Sequence, residues 1–170
     1  MKDEGLTLPE LLIGVLVLGL LGLLGSFSAA EILARQRVEH AARRLSQGIE
    51  QARSQALLQE RGCVLHLTPS GWIAAPGGEL PPCIAGHEPM QEAGLGAGGL
   101  QVLHNLPPEL RFTSNGLVLD GGTVVLASQG TSLRRCLVMA LPLGVVRVGR
   151  YRGALQGPPD SAACLPDESL

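Results

Sequence analysis

From Leu11 to Ala30 the chain runs for 20 residues without a charge, bounded by Glu10 and Glu31. A helix of that length reaches about 30 Å, the thickness of a bilayer's hydrocarbon. The stretch predicts a spanning helix, so the rest of the 170 residues must fold beside a membrane anchor. Roughly 110 to 140 residues are then left over, enough for one domain with a modest core. Hydrophobic residues make up 45% of the chain, yet the aromatic ones are only Phe27, Phe112, Trp72 and Tyr151. That mixture, with abundant Gly and Pro, implies an aliphatic core and many turns and excludes a disordered chain.

Beyond the apolar stretch the helical signal continues. Val38, Ala41, Leu45, Ile49, Ala52 and Ala56 recur at three- and four-residue steps and mark one apolar face. Gly62 is the expected stop, which makes one helix of about 50 residues by its rise and spacing. After Gly62 the period changes to two. Strands are expected at 63–67, 71–75, 100–106, 110–119, 123–128, 135–141 and 144–151, with turns at Thr68–Gly71, Asp120–Gly122 and Pro142-Leu143. Residues 76–99 read as a long loop. The expected fold class is α+β, a long N-terminal helix packed on a small antiparallel β-sheet head.

The start of the chain does not suit a conventional secretory signal, which has a basic start and a shorter apolar region. Here Lys2 is followed by Asp3 and Glu4, although Ser26, Ser28 and Ala30 could mimic a cleavage site. The junction "GLTLPELLIGVLVLGLLGLLG" instead resembles the leader of type IV prepilins and pseudopilins. The resemblance implies cleavage after Gly5 by a prepilin peptidase and N-methylation of Leu6, which stands where the family usually has Phe. It also implies that Glu10 pairs with the terminal amine of a neighbouring subunit during assembly. A local reading of Glu10 coexists with that one, since Thr7-Leu8-Pro9-Glu10 has the form of a capping box. Gly22 with Ser26, and Gly25 with Ala29, have the small-residue spacing that permits close helix approach.

The head resembles the FimT/GspH-like branch of minor pseudopilins. The matching features are the "ARSQALLQERGCVLHL" passage, Gly71-Trp72, "FTSNG" followed by "GTVVLAS", and "GVVRVGR". The implied organisation is a leader at 1–5, a membrane and assembly helix at 6–30, and an amphipathic half at 31–62. A β-rich head at 63–152 and a Gly/Pro-rich tail at 153–170 follow. The implied place is the bacterial inner membrane, with the N-terminus cytoplasmic and the head outside, and then a pilus or a type II secretion pseudopilus. The positive-inside rule points the other way, because residues 31–45 carry four Arg against two Glu; the junction is the more specific signal. Expected partners are the prepilin peptidase, other pilin or pseudopilin subunits and the inner membrane.

No catalytic constellation is visible, and no cofactor is implied. His40, His66, His87 and His104 are scattered without metal-site spacing. Cys63, Cys83, Cys136 and Cys164 contain no CxxC, so zinc is a poor reading. Beside a membrane-targeting segment, disulfides are favoured. Three connectivities are open, and Cys136 with Cys164 is the preferred candidate.

One segment carries a charge signal. Between Gly121 and Pro159 lie Arg134, Arg135, Arg147, Arg150 and Arg152 and no acidic residue, although the net charge is −2. Some FimT-like minor pilins bind DNA through a Gly-Arg-x-Arg element, and Gly149–Arg152 matches it in letters, while Gly144–Arg147 is a second possible alignment. The resemblance therefore implies an alternative role in DNA uptake. Arg147, Arg150 and Arg152 are the candidate phosphate contacts, and Tyr151 is a candidate stacking platform. The plainer reading is an edge strand protected by charge.

Overall fold

The computed structural model of the chain describes residues 8–74, 79–89 and 99–167, and the side chains of 22–28 and 87–89 lie outside that description. A single helix, α1, runs over Leu8–Leu58. At 1.5 Å per residue it is about 75 Å long.

Its second half is buried on one face. Ala34, Val38, Ala41, Ala42, Leu45, Ile49, Ala52 and Ala56 are closed off from solvent, which includes all six positions of the apolar stripe. The helix stops before the expected Gly62. Arg61 N donates to Ala56 O at 3.2 Å with Glu60 in the left-handed region at φ 47°, a Schellman-type ending in which a non-glycine residue takes the glycine position. Gly62 serves a different need, because a Cβ there would stand 3.1 Å from Phe112 O.

The head holds nine strands among the described residues: β1 (Cys63–Thr68), β2 (Gly71–Ala74), β3 (His87–Pro89), β4 (Leu100–His104), β5 (Leu110–Phe112), β6 (Gly122–Ser128), β7 (Arg134–Ala140), β8 (Val145–Tyr151) and β9 (Cys164–Pro166). They form two antiparallel sheets rather than one, in the orders β3-β2-β1-β5 and β4-β6-β7-β8-β9. The main core lies between α1 and both sheets, and centres on Leu45, Ile49, Leu65, Trp72, Phe112, Leu126 and Leu137.

Two differences from the expected strands have local causes. The run 110–119 breaks after Phe112, because Thr113–Gly116 forms a turn. Gly116 N donates to Thr113 O at 2.9 Å, Leu117 N donates to Thr113 Oγ1 at 3.1 Å, and Gly116 takes φ 68°, which glycine allows without a Cβ clash. Arg111 then closes the loop with a forked pair of 2.9 Å bonds to Asp120. Those bonds hold the Asp120 carboxyl below its ordinary range. Within the expected loop 76–99, His87–Pro89 pairs with β2 as a strand, while 75–78 and 90–98 lie outside the described residues.

The segment expected as a tail returns to the second sheet. Ser161–Ala163 form a 3-10 turn capped by Asp160, and β9 pairs with β8. A second, smaller core on the outer face of that sheet gathers Val125, Cys136, Tyr151 and Cys164 under Leu155 and Ala163. Two disulfides are present, Cys63–Cys83 and Cys136–Cys164. The second ties β7 to β9 across the intervening β8. Gly149 lies beneath it, where a Cβ would meet Leu165 O at 2.2 Å and Cys164 Sγ at 3.3 Å.

Candidate functional site

Two regions carry the functional expectations: the front of α1 and the arginine-rich end of the head. At the front, Gly5, Leu6 and Thr7 lie outside the described residues, so the cleavage junction and the capping partner of Glu10 are expectations from sequence. Glu10 itself is exposed in the first turn of α1, where the positive end of the helix dipole favours a carboxylate.

Behind it the helix is bare. Leu8, Leu11, Leu12, Ile13, Val15, Leu16, Val17, Leu18, Leu20 and Leu21 are 48–76% exposed, and a Cβ at Gly14 or Gly19 would touch nothing within 4 Å. Among the described residues no helix is long and apolar enough to cross a membrane. The uncharged stretch 11–30 includes residues 22–28, whose side chains are outside the description.

The arginine-rich end is not one patch. The pairing of β8 with β7 is regular through Arg150↔Arg135, Gly149↔Cys136 and Arg147↔Val138, so no bulge resets the phase at Gly149. Arg147 and Arg150 therefore project from opposite faces. Arg147 Nη2 donates to Cys164 O at 3.3 Å. Arg150 points to the helix side, with its guanidinium 3.8 Å from Asp167.

Tyr151 corrects the stacking expectation. Its ring is 5% exposed inside the second core, and its hydroxyl accepts from Asp160 N at 3.2 Å, so no ring face is offered to a base. Arg152 is exposed just past the strand. The edge-strand reading is corrected for the second half of β8, which β9 covers from Gly149 to Tyr151, whereas Val145–Val148 has no strand partner on that side among the described residues.

Arg135 has a role that its place in a run of arginines conceals. It is 4% exposed and holds Glu39 on α1 and Asp167 after β9 at once. Burial works against the charge, but hydrogen bonds to Glu39 and Asp167 outweigh it and raise the guanidinium's pKa. This bridge fixes the helix, the sheet and the returning C-terminal segment to one another. The alternation Arg135, Leu137, Met139 already puts Arg135 on the inward face of β7. Nothing in the sequence identified its two acid partners.

A long helix, bare and apolar at one end and sunk at the other into a two-sheet antiparallel head, is the architecture of a pilin-like subunit. The sequence model of the family described as "Type II transport protein GspH" matches residues 41–142, more than half of the chain, and the chain belongs to that family. Among solved structures, the type IV minor pilin FimU of Pseudomonas aeruginosa strain PAO1 is similar, with TM-score 0.49 and 19% identity over 69% of this chain and 90% of that one. No curated protein sequence matches.

Proposed function

We propose that the chain is a minor pseudopilin that is cut after Gly5 by a prepilin peptidase and methylated at Leu6. Residues 6–30 hold it in the inner membrane with the head outside, and it then enters a type II secretion pseudopilus or a type IV pilus. The observation that carries this reading is the bare front of α1. Ten large apolar side chains stand exposed over Leu8–Leu21 on a helix whose other half buries one face against the head. Burying each such side chain is worth about 1.5–3 kcal/mol, so the rod requires lipid or neighbouring rods around it.

Glu10 is the charge that bounds that rod at its N-terminal side. An ionised carboxylate drawn into the bilayer costs about 2.5–3.5 kcal/mol on insertion scales, and the terminal amine of a neighbouring subunit would offset the cost. The expected result is that Glu10→Ala is processed at the wild-type rate but is recovered in the membrane fraction, at least ten-fold depleted from sheared filaments. Equal recovery of the variant in filaments would remove Glu10 from assembly.

DNA uptake through the arginine-rich strand is the weaker alternative. Arg147 and Arg150 lie on opposite faces of β8, Arg152 lies past its end, and the one aromatic among the four is enclosed.

A further inference from the structure

The register of the head against α1 gives the exposed arginines a place along the membrane normal. Gly130, in the β6–β7 turn, lies against Ala34: a Cβ built on it would stand 3.6 Å from the Ala34 Cβ. At the other end, Gly116 lies against Leu57. The head thus occupies the helix from Ala34 to Leu57, and the β6–β7 turn is its end nearest the apolar stretch. From Ala30 to Ala34 is about 6 Å of helix, within the headgroup zone that flanks the hydrocarbon. β8 runs toward this end. Arg150 shares a small cleft with Glu31, Arg35, Ser132 and Leu133. Arg152 lies two residues further along, at the level of Leu133 by the β7–β8 register.

The acidic groups here are partly engaged. Glu39 is held by Arg135, Asp167 lies between Arg135 and Arg150 but bonds closely only to the former, Asp160 caps the 3-10 turn, and Glu31 shares the cleft with both Arg35 and Arg150. Arg134 donates to Gly153 O at 3.0 Å. Arg150 is 45% exposed, and Arg152 makes no ion pair among the described residues.

We propose that this rim of the head, led by Arg150 and Arg152, docks on anionic phospholipid headgroups of the outward leaflet and sets the head on the membrane before assembly. The proposal rests on the reading that residues 11–30 span the bilayer. Forked guanidinium donors suit phosphate oxygens, and both side chains lie within the roughly 10 Å over which a charged surface acts at moderate salt. Each arginine near such a surface shifts the docked population about five-fold. Arg147, three residues back along β8 and on its other face, is about 10 Å farther from the membrane and contributes little.

The test uses the full chain in nanodiscs of phosphatidylcholine with and without phosphatidylglycerol, read by amide exchange. In the anionic discs, exchange over 130–133 and 150–153 slows, and added salt reverses the effect. The doubly substituted Arg150→Gln, Arg152→Gln chain loses roughly twenty-five-fold in docking, while Arg147→Gln behaves as wild type. The salt titration of the wild-type chain needs no variant and guards against misfolding. Equal exchange in both discs, or loss with Arg147→Gln alone, overturns the proposal. Protection of the same segments by duplex DNA in neutral discs, without an effect of phosphatidylglycerol, overturns it in favour of nucleic acid. A chain that alkaline extraction strips from the discs overturns the spanning reading and this proposal together; an inserted chain with unchanged exchange overturns only the rim.

Discussion

Replacing Trp72 by Ala is expected to lower the stability of the head by about 3–5 kcal/mol, the range for losing a large buried aromatic. The ring is 1% exposed at the meeting of β2 and α1, and its Nε1 donates to Leu45 O at 3.0 Å. It seats there because position 48 has no side chain. A Cβ on Gly48 would stand 2.1 Å from Trp72 Cδ1 and 2.5 Å from Nε1. Gly48→Ala is therefore expected to destabilise by about 1–3 kcal/mol through overpacking, although helix propensity alone would favour it by about 1 kcal/mol.

Trp72 is the chain's one tryptophan, so its fluorescence reports the event directly: emission of Gly48→Ala shifts to the red and the denaturation midpoint falls. In the Trp72→Ala background the Gly48→Ala change becomes neutral or stabilising, since the two effects share one contact. A Gly48→Ala chain as stable as wild type, with unshifted emission, would contradict the packing described.

Removing the Cys136–Cys164 bridge, as the double Cys→Ala variant, is expected to cost about 3–4 kcal/mol from the loop-closure relation at a separation of 28 residues. The effect is local before it is global. β9 is three residues long and is held to the sheet by its ladder with β8, this disulfide and the Arg135–Asp167 pair. Without the bridge, residues 153–167 should be the first cut by a protease, while the core between α1 and the first sheet stays protected. Retained resistance of that segment would mean that Arg135 and the β8–β9 ladder suffice alone.

Periodicity made much of this fold legible. The stripe Val38 to Ala56 is buried as its spacing requires, and seven of the nine strands among the described residues overlap runs read from alternation or β-branched content. What escaped was information held between distant positions. Nothing near Gly48 says that an indole from residue 72 rests on it. Nothing near Arg135 says that its partners are 96 and 32 residues away. The Thr113–Gly116 turn was hidden by apolar residues on both sides, though Asn115-Gly116 is a turn signal in itself.

The arginine-rich end shows the same limit. Letters alone place Arg147, Arg150, Tyr151 and Arg152 together, whereas the regular β7–β8 register separates the first two and packs the third inside. The front of the helix was legible in another sense. Its uncharged run is plain in the sequence, but what surrounds it belongs to other molecules.

The intact mass and N-terminal sequence of the mature chain, taken from the membranes of its own host, test the central claim most directly. The account predicts a chain that begins at N-methylated Leu6 and keeps all of residues 6–30. A mature chain beginning beyond Ala30 would remove the rod on which assembly depends, and one still beginning at Met1 would take the protein out of the processed pseudopilins.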